Sequence, residues 1–171
     1  GPDCRLHDPF LSGTASPCVP MKTFQTLNEL EPLVGQPVAT SDWLTVTQAQ
    51  IDLFAQATGD HQWIHTDAQR AAQGPFGTTI AHGFLTLSLL PRFLETAVHI
   101  EQVRMGVNAG LNKVRFTAPV PVNSRLRAQL SLQAFQWLDG GACQMVWGVT
   151  MECEGQPKPV CVAEAVVRLY P

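Results

Sequence analysis

The chain has 171 residues, 45% of them hydrophobic and 15% charged, with a formal net charge of -3 and a pI near 5.9. That is apolar material enough for one full core, while eleven Lys and Arg scattered without a run give no basic footprint for nucleic acid. No apolar stretch reaches the roughly 18 to 20 residues of a membrane span, because His82, Gly83, Thr86, Ser88 and Arg92 interrupt the best candidate.

Residues 1–20 are Pro-rich and aperiodic; Gly1-Pro2 reads as the remnant of a cleaved tag and Met21 as a natural start, so 21–171 is taken as one domain. Five cysteines, none in a C-x-x-C pair, predict free thiols in a reducing, cytoplasmic setting. Thr26 to Glu29 starts a short helix that Gly35 ends, and Val38 to Val46 is extended. Thr47-Gln48-Ala49-Gln50 is a capping box, and the helix it opens carries Ile51, Phe54, Ala55 and Thr58 on one face until Gly59 stops it. Asp60 therefore stands where the backbone turns. Thr66-Asp67-Ala68-Gln69, directly after His65, reads as another capping box. From Gly83 a longer helix runs through Leu85, Leu89, Phe93 and Leu94, apolar on too many sides for a surface element, so it is expected to be wrapped by sheet. Beyond it the period changes to two: Leu126, Ala128, Leu130, Leu132 and Ala134 alternate with polar residues. Turns at Asp139-Gly140-Gly141 and Glu154 to Pro157 link this strand to Cys143–Cys153 and to Val160–Leu169, an antiparallel meander and an α+β class.

The run Phe54 to His65, with Thr58, Gly59, Asp60 and His65 at their spacing and His82-Gly83 heading the next helix, closely resembles the MaoC-like dehydratases, the (R)-specific enoyl-CoA hydratases of the hotdog superfamily. The likeness extends less specifically through Gly110 to Pro121 and covers most of the chain from about Thr23. The resemblance implies a hotdog fold, an antiparallel sheet wrapped around a long central helix. It implies a homodimer whose sheets join, an acyl-CoA thioester as substrate and no cofactor. It also carries the catalytic pair onto Asp60 and His65 and the oxyanion contact onto Gly83. Asn108-Ala109-Gly110 departs from it, with a small residue where relatives often have tyrosine; this widens the acyl pocket unless Trp43 or Met105 fills it.

The residues suit that chemistry. Hydrating a 2-enoyl thioester takes a water at Cβ, an acceptor for its proton, a proton for Cα and a donor for the enolate oxygen. A carboxylate and an imidazole meet the first three, and the free N–H at a helix head meets the fourth. Which of the pair is the base stays open, with Asp60 as base and His65 as donor the expected assignment. Taken singly, Asp60 is more simply a turn residue bonding its own backbone, and His65 and His82 packed histidines. Gln62, Trp63, His82 and Asn112 are candidate substrate-binding residues, His82 more as support for the helix head, and Arg92, Lys113 and Arg115 candidates for the nucleotide end of CoA. A metal on Asp60, His61, His65 and His82 lacks the H-E-x-x-H arrangement and is set aside. No G-x-S-x-G elbow supports a serine hydrolase. The alternatives kept are an acyl-CoA thioesterase, for which the central helix offers only Glu95 as a carboxylate, and a non-catalytic acyl-binding protein.

Overall fold

The computed structural model describes residues 19–171. The expectations for residues 1–18, Cys4 and Cys18 included, lie outside the described residues. Val19 already belongs to the fold, its N–H donating to the Asp42 carboxylate at 2.8 Å.

After strand β1 (Lys22–Phe24) the expected helix is two 3-10 turns, Leu27–Glu29 and Glu31–Leu33. Pro32 has no N–H to extend an α-helical ladder, so the chain tightens instead. Gly35, at φ 87°, ends the segment as expected. The extended stretch that follows splits into β2 (Gln36–Thr40) and β3 (Leu44–Thr45). Between them the fully buried Ser41 bonds Ala128 twice, donating its N–H to the carbonyl at 2.9 Å and accepting the Ala128 N–H on Oγ at 2.8 Å. Its side chain stands in for a backbone rung.

Helix α1 (Gln48–Thr58) has the predicted capping box: Thr47 Oγ1 accepts the Gln50 N–H and Gln50 Oε1 accepts that of Thr47. Two short helices follow, α2 (Trp63–Thr66) and α3 (Ala68–Ala72). The cap of α3 is Asp67, whose carboxylate accepts the Arg70 N–H, and not Thr66. Thr66 closes α2 instead, its hydroxyl donating back to the carbonyls of His61 and Gln62. His65 thus lies inside a helical turn, where the sequence had placed it ahead of one.

The central helix runs from Gly83 to Ala97 as α4 (Gly83–Ser88) and α5 (Leu90–Ala97), stepping at Leu89 because Pro91 cannot donate into the preceding turn. Strand β4 (Val98–Ile100) pairs in parallel with β1. The main sheet, all antiparallel, adds β5 (Met105–Phe116), β6 (Arg125–Trp137), β7 (Cys143–Cys153) and β8 (Pro159–Tyr170), in the order β2-β6-β7-β8-β5 with β3 also on β6. Leu126, Ala128, Leu130 and Leu132 face the core as their alternation requires. Ala134 does not, because a bulge between Leu132 and Ala134 shifts the register and turns it outward.

The helix is not wrapped on all sides. Leu85, Leu90, Phe93 and Ala97 are buried against the sheet, while Phe84 is 68% exposed and Leu87, Leu89 and Leu94 are half-buried. Edge strand β5 also leaves Met105, Val107, Leu111 and Phe116 exposed. Cys143, Cys153 and Cys161 are free and buried, and burial pushes the thiols of Cys143 and Cys161 up to about 11, which makes them inert core residues.

Phe93 is among the largest side chains with no access to water. Truncating it (Phe93→Ala) is expected to cost about 3–5 kcal/mol of stability, read as a lower urea midpoint with an unchanged m-value; a midpoint within experimental error of wild type would contradict this packing.

Candidate active site

Gly59 at φ 82° ends α1 in the left-handed conformation, donating its N–H to Ala55 at 2.8 Å, and so turns the chain at Asp60. One Asp60 oxygen accepts the Gln62 N–H at a long 3.4 Å. This is the turn-residue role in weak form, and it leaves the carboxylate capacity to spare. One helical turn on, α2 presents the buried His65.

His65 is oriented by backbone. Its Nδ1 donates to the Ile80 carbonyl at 2.7 Å, and since a carbonyl can only accept, the proton sits on Nδ1 and Nε2 is left as a lone-pair acceptor. The acceptor is itself held in place. Ile80 donates its N–H to the Ile64 carbonyl at 3.0 Å, Ala81 donates to Val120 at 2.8 Å, and Val122 donates to Thr79 at 2.9 Å. Gln48, in the first turn of α1, ties the same parts from below: its Nε2 donates to the His65 carbonyl at 2.8 Å and its Oε1 accepts the Thr79 hydroxyl at 2.6 Å.

A carboxylate oxygen of Asp60, a ring nitrogen of His65 and a ring nitrogen of His82 all lie within 4.8 Å of one another. His82 caps the head of α4 without a side-chain capping bond; its ring stacks on that of His65 with centroids 3.9 Å apart and planes 25° apart, and its Nε2 donates to the Asp60 carbonyl at 3.0 Å. Phe54 covers another side at 4.9 Å. Stacking sets the two imidazoles against shared metal ligation. A metal must lie close to each ring plane about 2 Å from the nitrogen, and stacked rings with centroids 3.9 Å apart and planes tilted by 25° aim their nitrogens side by side rather than at one point.

Burial pushes the His65 imidazole below its ordinary 6.5; the Ile80 carbonyl works against this, His82 adds to it, and Asp60 opposes it least. Burial thus favours the neutral ring, with its proton on Nδ1 and Nε2 open as an acceptor. The sequence expectation, which left the choice of base open, gave His65 the donor role.

Gly83 has a reason of its own to be glycine: a Cβ there would meet the Phe116 ring at 2.9 Å. The missing side chain therefore makes room for Phe116, where the sequence reading gave that space to a substrate carbonyl. Its N–H stands at the helix head. Of the other candidates, Gln62 is exposed and serves the turn through its backbone. Trp63 is taken up by packing, with the Arg70 guanidinium 4.4 Å over its ring and Gly74 against its edge. His82 is 2% exposed and meets its neighbours rather than open space. Asn112 sits in a bulge of β5 between Leu111 and Lys113, exposed on the sheet edge and outside the cluster. His61 is exposed. Lys113 and Arg115 stand exposed on β5.

Past the head of the helix, a cavity of about 420 Å³ opens between Leu87 to Pro91 and the β5 residues Asn108 to Leu111, with Ala165 and Val166 behind. A second, of about 370 Å³, shares Pro91 and Asn108 with it and continues to Val103, Trp147 and Glu95. Trp43 does not fill this space; it stacks under Arg127 at 4.4 Å and Arg125 at 5.3 Å by β6. Met105 is 53% exposed. Ile80 carries no sequence signal for its part in the site, since a carbonyl acceptor has no side-chain signature, and the site contacts of Gln48 and Phe116 form only across segments distant in sequence.

A family model described as MaoC like domain matches residues 29–145. The 3-hydroxyacyl-thioester dehydratase Z of Mycobacterium tuberculosis is 54% identical over 148 residues, 86% of this chain and 98% of that protein. Among solved structures, R-hydratase PhaJ1 from Pseudomonas aeruginosa, unliganded, is 27% identical with a TM-score of 0.60 over 78% of this chain and 79% of that one. A MaoC-like dehydratase from Rhodospirillum rubrum, 21% identical with a TM-score of 0.69 over 85% and 96%, shares the fold.

Because His65 binds its second proton less readily folded than unfolded, its contribution to stability is intact above 6.5 and is lost as pH falls from 6.5 toward the folded value. Its NMR titration in the native protein is expected to have a midpoint below 6.5, with Nδ1 the protonated nitrogen of the neutral ring; a midpoint above 6.5 would overturn the burial argument.

Proposed function

The chain belongs to the MaoC-like domain family of the hotdog superfamily, and from that premise we propose that it is a hydro-lyase adding water reversibly to a trans-2-enoyl-CoA to give the (R)-3-hydroxyacyl-CoA. The observation that carries the reading is the meeting of the Asp60 carboxylate with the buried His65 imidazole, whose free nitrogen is Nε2. The names of the M. tuberculosis dehydratase and of the P. aeruginosa hydratase support it.

In the hydration direction, Asp60 and His65 hold one water between them. Its oxygen bonds Cβ while His65 Nε2 takes one of its protons; the Cα=Cβ pair moves onto the thioester oxygen as an enolate, which the Gly83 N–H stabilises. The imidazolium then returns that proton to Cα on the same face as the new hydroxyl. One water enters, one C–O and one C–H bond form, and His65 ends as it began, so no cofactor is consumed. The carboxylate beside it stabilises the transient positive ring. The apolar cavities along α5 and β5 receive the acyl chain, with Ala109 keeping the first of them open. A CoA or acyl-carrier thioester substrate supports the expected cytoplasmic setting; separately, no helix among the described residues is long and apolar enough to cross a membrane.

A hotdog thioesterase would want its carboxylate on the central helix itself. Glu95 is the only one on the central helix, twelve residues from Gly83 and thus roughly 18 Å along the axis. The approach of Asp60 to His65, within 4.8 Å, supports hydration instead.

Loss of enoyl-thioester absorbance with crotonyl-CoA and a longer trans-2-enoyl-CoA, run beside a free-thiol assay, tests this reading. Absorbance should fall without thiol release, and Asp60→Asn and His65→Ala should each lower kcat by roughly a hundredfold or more. Thiol release would mean a thioesterase, and near-wild-type turnover in both variants would sink the site.

The same reading pairs two chains. Among the described residues β5 is an unpaired edge with Met105, Val107, Leu111 and Phe116 exposed, the surface a second copy would cover. Light scattering should give twice the 18.6 kDa chain mass; a monomer at micromolar concentration would count against a joined sheet.

A further inference from the structure

We propose that His82 is a positioning residue, which fixes the separation of the two reacting side chains by holding both: Asp60 through a hydrogen bond and His65 through its ring. This rests on the hydro-lyase reading above. The observations are geometric. His82 is 2% exposed, so it is sealed from the space in which a substrate would lie. Its Nε2–H ends on the Asp60 carbonyl at 3.0 Å, clamping the backbone of the turn that carries the carboxylate. Its ring lies flat against His65 at 3.9 Å, with Phe54 on another side at 4.9 Å, so neither imidazole can tilt without displacing the other.

The turn needs such a clamp. Its own bonds are weak: Thr58 Oγ1 accepts the Asp60 N–H at 3.4 Å, and Asp60 Oδ1 accepts the Gln62 N–H at 3.4 Å. Neither would hold the carboxylate to within a few tenths of an ångström. His65, in contrast, is tied by Ile80 and by Gln48. The His82 bond is the short contact joining the loosely held partner to the firmly held one. It also explains why a polar ring is buried at the head of α4 without capping it, and with Nδ1 left without a partner: the nitrogen that matters is Nε2. Misplacement of a reacting group by about an ångström can cost a hundredfold in rate, and a residue that acts only by placement changes kcat and leaves substrate affinity alone.

Two substitutions separate the clamp from general packing, in the full chain and with the hydration assay that the wild type must first pass. His82→Phe keeps a ring between His65 and Phe54 and loses the donor; His82→Gln keeps an N–H able to reach the carbonyl. With both folded by circular dichroism, the Phe variant should lose roughly ten- to a hundredfold in kcat with KM within about twofold of wild type, and the Gln variant should recover most of that loss. Should the Phe variant not fold, His82→Asn, whose amide is too short to reach the carbonyl, takes its place. Wild-type kcat in the donor-less variant, a Gln variant no better than it, or a change confined to KM would each overturn the proposal. A wild type that does not hydrate any enoyl thioester would instead overturn the reading of function.

Discussion

Everything at the site hangs on the bond from His65 Nδ1 to the Ile80 carbonyl, 2.7 Å long and buried. It fixes which nitrogen carries the proton, which way the ring faces, and how close the 59–66 turn lies to the head of the central helix. A buried imidazole without such a partner would carry an unsatisfied donor, a cost of about 1–3 kcal/mol, and its ring would be free to turn. The bond is dependable because the acceptor is: Ile80 returns its own N–H to Ile64, and Ala81 and Thr79 are laced to Val120 and Val122. The turn that carries Asp60 and His65 and the helix head are thus one unit, although sixteen residues of chain, including all of α3, separate His65 from His82.

The rest of the fold serves that unit from outside. The meander β6-β7-β8 supplies a stiff wall, its inward residues packed against Leu85, Leu90 and Phe93. That wall sets the axis of the helix, and so the direction in which the Gly83 N–H points. Phe116, from the edge strand, rests on Gly83 where any side chain would clash. The contact pins the helix head to β5 and so couples the site to the strand whose outer edge is unpaired. Where the helix turns its less covered face toward β5, small residues, Ala109 and Gly110 among them, leave the apolar cavities. Rigidity is concentrated at Asp60 and His65, and space is left beside them, an arrangement that suits the proposed hydration of an acyl chain of variable length.

Local signals were read well where a feature depends on its own residues. The Thr47 capping box, the left-handed stop at Gly59 and the alternation from Leu126 to Leu132 need only neighbours in sequence. They failed where a distant partner intervened. Ala134 left the inward face because of a bulge against β7, Ser41 became a rung because Ala128 lay opposite, and Thr66 lost its cap role to Asp67 when α2 formed just before it. Trp63 looked like a lining residue until Arg70 and Gly74 were found on its ring.

By itself, then, the sequence determined the class of fold, the family, and the identity of Asp60, His65 and Gly83 as the residues to watch, because element periods, caps and a spaced motif are written in local order. Only the tertiary structure decided how those residues work. The tautomer of His65, the lowering of its proton affinity, the contacts of His82 with Asp60 and His65 and the reason for glycine at position 83 all depend on a backbone carbonyl, on burial and on rings brought together from separate segments. None of these has a residue-type signature: any residue at position 80 would offer the same carbonyl, and desolvation exists only once the chain has closed over the site.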